Sequence, residues 1–340
     1  MSRQLNVAIV GVTGAVGETL LTVLREKDFP IKTLYPLASA RSVGKTISFK
    51  NKEFDVLDLA EFDFSLADIA LFSAGSAVSK EYAPKAVAAG CVVIDNTSCF
   101  RYEDDIPLIV PEVNAHRIVQ YEKRGIIANP NCSTIQMVVA LKPIYDAVGI
   151  SRINVATYQS VSGTGKKAIT ELISQVGDLL NGIPAKSSVY PQQIAFNALP
   201  HIDQFEENGY TREEMKMVWE TRKIFEDENI MVNPTAVRVP VLYGHSEAIH
   251  IELKKPMTAK EARALLSKAP GIKVVDNQAK SSYPTAISHA VGHDEVFVGR
   301  IRQDISHPCG LNLWVVSDNI RKGAATNAVQ IAEILQREYL

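Results

Sequence analysis

Residues Leu5–Val10, LNVAIV, run directly into Gly11-Val12-Thr13-Gly14-Ala15-Val16-Gly17, and this junction narrows the choice of fold more than any other stretch. The first six residues read as a buried strand, and 18–27 read as an amphipathic helix. A glycine-rich turn between strand and helix lets the backbone approach a pyrophosphate that a Cβ would hold off. The helix end adds N–H donors, so strand, loop and helix together form the phosphate cradle of a dinucleotide fold. The spacing is GxxGxxG rather than GxGxxG, a variant found among such folds, and Gly11 and Gly14 fall in the cradle.

The second strand, 33–38, does not end on the acidic residue that would grip a free ribose 2′-hydroxyl; it runs into Ser39-Ala40-Arg41-Ser42. A cation and a hydroxyl there suit a 2′-phosphate, so NADP is expected over NAD; a solvated loop arginine is the alternative. Further strands are expected at 46–49, 54–57 and 69–72. After the last come Ser73-Ala74-Gly75-Ser76, small residues that allow close approach of a cofactor, and then a helix over 79–89. The buried strand CVVID, 91–95, leads into Asn96-Thr97-Ser98-Cys99-Phe100-Arg101, polar residues at a strand's carboxyl end, where open α/β sheets place ligands. Arg101 is a candidate anion clamp there, or else the partner of Glu103 or Asp104 in a surface ion pair.

The segment 125–143, GIIANPNCSTIQMVVALKP, reads as strand, tight turn and helix, with Ile135, Val138, Val139 and Ile144 on one helical face. Asn131 and Ser133 are both plausible N-caps, and Pro143 is placed to end or kink the helix. Cys132 then falls at the positive end of a helix dipole, where a thiol ionises more readily and N–H groups can hold an oxyanion. By position alone, nucleophile and buried apolar filler both stay open.

A chain of 340 residues is long enough for two domains, and a net charge of −2 with no charged block points to neither a nucleic-acid nor a membrane surface. The start of the chain is polar and lacks a signal-peptide pattern, and no apolar run approaches a membrane span. Cys91, Cys99, Cys132 and Cys309 show no CxxC spacing, which argues against zinc and disulfides and for a reducing cytoplasm.

Beyond residue 150 the texture changes. A strand over 153–159 ends at Gln159, which could orient a substrate carbonyl or simply be an exposed strand end. Ser160-Val161-Ser162-Gly163-Thr164-Gly165 is a second glycine-serine loop, feeding a helix over 167–180, and 181–208 reads as a long irregular connection. A helix over 211–227 opens on a capping box, Thr211 with Glu214, and carries Glu213 and Lys216 as i,i+3 neighbours. Strands at 236–240 and 248–253 flank a hairpin-like return that could bring Arg238 and His245 to one pocket, with His245 in a turn away from any apolar face. His289 and His293 have the spacing of a helical zinc pair, but their glycine-containing context reads as a loop, so no metal is expected. Strands at 297–302 and 312–316 complete a mostly antiparallel second sheet, and 318–340 reads as a long helix able to return to the first domain.

GVTGAVG, DNTSCFR, VPEVN, NPNCSTIQ, YQSVSGTGKKA, EEMK and RVPVLYGHSEA occur here in the order found in aspartate-semialdehyde dehydrogenases of the bacterial form, and the resemblance covers essentially the whole chain. It implies an α/β protein: a Rossmann-type dinucleotide-binding domain, 1–130 completed by 319–340, and an α+β catalytic and dimerisation domain, 131–318, with a mostly antiparallel sheet like that of glyceraldehyde-3-phosphate dehydrogenase. The implied reaction is NADPH-dependent reduction of L-aspartyl-4-phosphate to L-aspartate 4-semialdehyde through a cysteine thioester, a step in the aspartate pathway of amino-acid biosynthesis. Cys132 matches the family's nucleophile, His245 its acid/base and Gln159 the residue that holds the acyl group. Arg238 matches the partner of the substrate α-carboxylate, Arg101 and Lys216 the phosphate-binding pair, and Glu213 the partner of the substrate amino group; Asn131 joins the substrate-binding set. Gly11, Thr13, Gly14, Ala15, Val16, Arg41, Ser42, Ser73, Ser162, Gly163 and Asn319 form the expected NADP-binding set. A homodimer, or a tetramer built from dimers, is also implied. Cys99 departs from the alanine usual in the family's NTSAFR and could be prone to oxidation.

The residue types suit that chemistry in their own right. An acyl phosphate calls for a soft nucleophile, a phosphate dianion for cations, and proton transfer near neutral pH for histidine. The nearest rival, an N-acetyl-gamma-glutamyl-phosphate reductase, is expected to carry glycine before the cysteine, where this chain has Asn131. A non-catalytic dinucleotide-binding paralogue is expected to lack the cysteine, the base or the carboxylate clamp, all of which are present.

Overall fold

The computed structural model describes residues 3–340, which form two compact units: 3–131 with 324–340, and 132–323.

The first unit is built on an all-parallel sheet in the order β5-β2-β1-β6-β7-β8. Its strands are β1 (Leu5–Val10), β2 (Ile31–Ala38), β5 (Leu57–Asp58), β6 (Ile69–Phe72), β7 (Val92–Asp95) and β8 (Ile126–Ala128). Continuous apolar runs such as IALF and VVID are buried on both faces, as parallel strands require. β3 (Thr46–Phe49) and β4 (Lys52–Asp55) pair as a separate hairpin, so the strand expected at 54–57 divides between β4 and β5. The strand order reverses at β1, between β2 and β6, which places the switch point at the loops following β1 and β6. Helix α1 (Ala15–Glu26) starts three residues earlier than expected, with Gly14 as its N-cap. Helix α2 spans Ser76–Ala88, and α3 is the short turn Pro111–Asn114.

In the second unit the sheet order is β10-β9-β11-β14-β13-β12, from β9 (Ile150–Gln159), β10 (Met231–Arg238), β11 (His245–Leu253), β12 (Ile272–Val274), β13 (Val296–Gln303) and β14 (Gly310–Ser317). Three of its five pairings are antiparallel, and the outer two, β10 with β9 and β12 with β13, are parallel. Helix α4 (Cys132–Val148) packs on β9, β11, β13 and β14, and α6 (Arg212–Phe225) packs on β10 and α4. The odd-numbered residues of β11, from His245 to Leu253, are buried on that face. Helix α5 spans Lys166–Leu180 and α7 spans Ala259–Leu266.

One expectation is narrowed and two are corrected. Of the two outcomes offered for Pro143, an end to the helix is excluded: α4 continues through it to Val148, and Ile144 packs in the core beyond it. β10 and β11 form no hairpin, since β9 lies between them and pairs with both. The histidine-bearing stretch expected as a loop contains a short π-helical turn, Ala286–Ala290, whose His289 Nδ1 accepts the Thr285 N–H at 3.3 Å.

The final helix, α8 (Thr326–Glu338), is preceded by a π-helical turn, Arg321–Ala325, so 318–320 is not helical. As expected of a returning terminus, Ala328, Val329, Ile331 and Leu335 join the core of the first unit with Leu20, Leu24 and Ile94.

Candidate active site

The glycine loop of the first unit is drawn across the ends of two strands, with Gly11 and Val12 N–H groups both donating to Leu37 O. Gly11 has φ +90°, a conformation that favours glycine, and a Cβ on it would lie 3.0 Å from the Ala74 side chain. Gly17 is already inside α1, where any Cβ would stand 2.3 Å from Gly11 O; glycine there brings helix and loop together. Thr13 and Gly14 lie in the loop, and Ala15 and Val16 open the helix, whose first N–H groups have no acceptor within it. From β6, Ser73 donates to Val10 O through both its N–H (2.9 Å) and its hydroxyl (3.2 Å), fixing the second loop at the switch point. Arg41 and Ser42 form a short turn just past β2, with Arg41 exposed.

Arg101 is buried, with only 6% exposed, and its Nη2 donates to Asn96 O at 2.8 Å, so it is not a solvated surface side chain. Its loop is pinned by Asp95, which accepts from the Thr97 N–H (3.0 Å), the Thr97 hydroxyl (2.8 Å) and the Ser79 hydroxyl (2.8 Å). Burial and the nearby Asp95 carboxylate push the Cys99 thiol's pKa up, which works against its ready oxidation.

In the second unit, Cys132 is the first residue of α4, so Ser133 lies inside the helix. Opposite it stands Gly323, where an added Cβ would come within 2.8 Å of the Cys132 Cβ; only a residue without a side chain leaves the thiol's base uncrowded.

His245 heads β11 and is fully buried, not in the open turn expected for it. Its Nδ1 receives the Ser160 backbone N–H at 3.1 Å, and the Ser160 hydroxyl lies 3.1 Å from the same nitrogen. That hydroxyl also donates to Asn319 Oδ1 (3.1 Å), which takes the Gly244 N–H (2.9 Å) as well. Ser162 closes the ring, with its hydroxyl 3.0 Å from that of Ser160 and 3.0 Å from the Asn319 Nδ2 donor. On the other side, Arg238 Nη1 donates to Ser160 O at 2.8 Å.

Arg238 and His245 are therefore brought together as expected, but through the end of β9. Both border Gly163: a Cβ added there would lie 3.2 Å from Arg238 Nη1 and 3.4 Å from His245 Nε2. Arg238 Nε and His245 Nε2 are buried without a hydrogen-bond partner among the described residues. Burial, reinforced by the Arg238 guanidinium, pushes the His245 pKa down to about 3, so the ring is neutral.

Gln159, the last residue of β9, donates from Nε2 to Glu213 Oε1 at 3.1 Å. The other oxygen of Glu213 accepts from Lys216 Nζ at 3.1 Å, and Lys216 also donates to Asp203 at 2.7 Å. Burial works against the Lys216 ammonium, but Glu213 and Asp203 outweigh it and hold its pKa above the ordinary lysine value. The capping box that aims this helix is formed as expected: Glu214 N–H donates to the Thr211 hydroxyl and Thr211 N–H to the Glu214 carboxylate.

Ser160, Asp203 and Gly323 were not foreseen. The sequence carries a faint signal for Ser160 alone, its place directly after Gln159 at a strand end.

Residues 6–121 match the family described as "Semialdehyde dehydrogenase, NAD binding domain", and 141–322 match "Semialdehyde dehydrogenase, dimerisation domain". The chain is 83% identical over its full length to 98% of the aspartate-semialdehyde dehydrogenase of Legionella pneumophila. It is 48% identical, over 99% of each chain, to that of Bacillus subtilis. Among solved structures, aspartate semialdehyde dehydrogenase II of Vibrio cholerae complexed with ASA aligns over 100% of both chains, with TM-score 0.98 and 60% identity. The Candida albicans enzyme with NADP aligns over 98% of this chain and 99% of that one, with TM-score 0.77 and 25% identity. On sequence, domain content and three-dimensional likeness alike, the chain belongs to the aspartate-semialdehyde dehydrogenase family.

Proposed function

We propose that this oxidoreductase reduces L-aspartyl-4-phosphate to L-aspartate 4-semialdehyde with NADPH, releasing inorganic phosphate. The observation that carries the reading is the double hold on Ser160: its carbonyl takes Arg238 and its N–H takes His245. A substrate carboxylate gripped by the guanidinium is thereby kept at a fixed distance from the imidazole.

Cys132 Sγ attacks the acyl carbon, the bond from that carbon to the phosphate oxygen breaks, and a thioester remains on the protein. When bound, NADPH would supply hydride to the thioester carbon. His245 carries the proton: it takes it from the Cys132 thiol on attack and returns it to the oxygen left negative by hydride addition. It takes it again as the carbon–sulfur bond breaks, handing it to the departing sulfur so that the aldehyde leaves with Cys132 regenerated. Gln159 orients the acyl group, Glu213 meets the substrate ammonium, and Lys216 and Arg101 are the cations for the phosphate, each positioned within its own unit. Asn131, directly before the nucleophile, belongs to the same substrate-binding set.

The glycine cradle at Gly11 and Gly14 and the Arg41–Ser42 turn fit a dinucleotide with a 2′-phosphate. Thr13, Ala15, Val16 and Ser73 in the first unit, and Ser162, Gly163 and Asn319 in the second, complete the proposed NADP set.

The Ser160 N–H, aimed at Nδ1, holds His245 as the neutral tautomer with its proton on Nε2, and the Ser160 hydroxyl beside Nδ1 ties the ring's surroundings to Asn319. Ser160→Ala keeps the N–H and removes that tie, and kcat is expected to fall roughly 10- to 100-fold with a displaced pH profile. A pH profile superimposable on that of the parent chain would dismiss this positioning role.

We further propose a homodimer in the cytoplasm, paired through the other face of the second sheet. Tyr158 and Trp314 lie there with ring centroids 5.6 Å apart, and Tyr158 is 36% exposed. Among the described residues, no helix is long and apolar enough to cross a membrane.

The deciding assay follows reduction of NADP on addition of aspartate semialdehyde and phosphate, with N-acetylglutamate semialdehyde and NAD as the comparison arms. Turnover of aspartate semialdehyde with NADP, at a kcat/KM at least about tenfold above either comparison, is expected from the Arg238 clamp and the Arg41 turn. Equal rates with the acetylated aldehyde would overturn the substrate, and equal kcat/KM with NAD would overturn the cofactor preference.

A further inference from the structure

Lys216, the proposed phosphate cation of the second unit, does not offer an uncompensated charge. Its ammonium is shared between Glu213, on its own helix, and Asp203, 13 residues earlier. The Glu213 contact follows from helical spacing, but the Asp203 contact is built by a separate device.

Residues 199–211 form a strap tied at both ends to the site. At one end Leu199 exchanges both backbone hydrogen bonds with Arg238, at 2.9 and 2.8 Å. At the other, Phe205 bridges to Thr211, the N-cap of α6, and Arg212 N–H donates to Gln204 O at 2.7 Å. Between these ties Asp203 holds the left-handed conformation, φ +70°, and its Oδ1 accepts the Gln204 N–H at 2.9 Å. That leaves Oδ2 directed at Lys216 Nζ, 2.7 Å away, with a third of the Asp203 side chain still exposed. A non-glycine residue in this conformation, ordered from both sides, presents its carboxylate to Lys216 by construction.

We propose that Asp203 is a positioning and specificity-determining residue: a resident counter-ion that weakens the hold of Lys216 on phosphate and so promotes release of inorganic phosphate after acyl transfer. The proposal rests on the reading that Lys216 receives the substrate phosphate. Asp203 adds a full negative charge 2.7 Å from the ammonium, and a phosphate dianion reaching Lys216 meets that charge at short range. Without the Asp203 charge, phosphate would bind more tightly and leave more slowly.

Asp203→Asn keeps an oxygen acceptor for Lys216 and removes the charge. In the oxidative direction, with aspartate semialdehyde, NADP and inorganic phosphate, the KM for phosphate is expected to fall roughly five- to tenfold. The KM for the aldehyde should stay within about twofold, and phosphate should become a correspondingly stronger product inhibitor of the reductive direction. Asp203→Ser, which removes the charge without the amide, should shift phosphate KM the same way. A phosphate KM that is unchanged or raised in both variants, or one that moves in step with the aldehyde KM, overturns the proposal. Lys216→Met separates the two readings. If it raises phosphate KM while the Asp203 variants do not lower it, the counter-ion role alone fails; if it leaves phosphate KM unchanged, the phosphate assignment of Lys216 fails and takes the counter-ion with it.

Discussion

Cys132→Ala is expected to bind NADPH as the parent chain does and to turn over at least ~1,000-fold more slowly. The substitution deletes one sulfur and keeps the Cβ that already lies against Gly323, so the first turn of α4 has no reason to move. The loss is therefore chemical. Without Sγ no thioester forms, and the electrophilic carbon is never held on the protein for reduction. Cys132→Ser sharpens the test, since it returns a hydroxyl of similar size whose nucleophilicity near neutral pH is far weaker. Both variants should bind NADPH with unchanged affinity by fluorescence titration and show only trace reduction of NADP in the coupled assay. Activity within tenfold of the parent chain in either one would remove Cys132 from the mechanism.

How far the sequence reached depended on whether a feature was local. β1, β6 and β8 fall where their apolar runs end, because burial on two faces leaves little freedom in such short segments. α1 began early because Gly14 itself serves as the N-cap, and a glycine carries no side-chain signal that a helix has begun. β10 was foreseen only in its last residues, because Pro234 argues against a strand. It is tolerated since β10 is the edge of its sheet. The short parallel strand β12 has just three residues and no pattern to read.

The site divided along the same line. Glu213 and Lys216 share a helix face, and their ion pair could be read from spacing alone. Arg238 and His245 were paired for the wrong geometric reason, a hairpin; it is β9, inserted between them, that supplies Ser160 as the common partner. Asp203 lies in a stretch whose composition announces only irregularity. Its direction is fixed by two backbone bridges across the strap, which no local pattern encodes.

The second large effect concerns stability, and it is expected at Glu247. This residue is two places along β11 from His245, on the same buried face, and is fully buried between Thr157 and Val315 on the flanking strands. Its polar neighbour is Gln136, one turn along α4 from Cys132; it favours the charged form a little, yet lies outside good hydrogen-bond geometry. Burial dominates and pushes the Glu247 carboxyl well above the usual carboxylate range, which favours the neutral acid in the folded chain. In the unfolded chain it ionises near its ordinary 4.5. Above that pH the folded state holds a proton that the unfolded state has released. Its contribution to stability is thus complete below 4.5 and is lost as pH rises toward the elevated folded value, at about 1.4 kcal/mol per pH unit. Glu247→Gln has nearly the same volume and no proton to lose, so the variant should gain on the parent chain as pH rises from 4.5 toward the elevated folded value. His245 acts in the opposite sense: with its pKa depressed from 6.5 to about 3, its contribution is present above 6.5 and is lost as pH falls through that interval. Both chains carry His245, so its effect cancels in the difference and leaves Glu247 exposed to measurement. Both tryptophans, Trp219 and Trp314, lie in the second unit, so fluorescence-detected urea unfolding at pH 5, 6, 7 and 8 reads the part of the chain that contains Glu247. A stability difference that widens with pH is expected. Parallel curves would mean that Glu247 is ionised in the folded protein, stabilised by interactions strong enough to offset its complete burial.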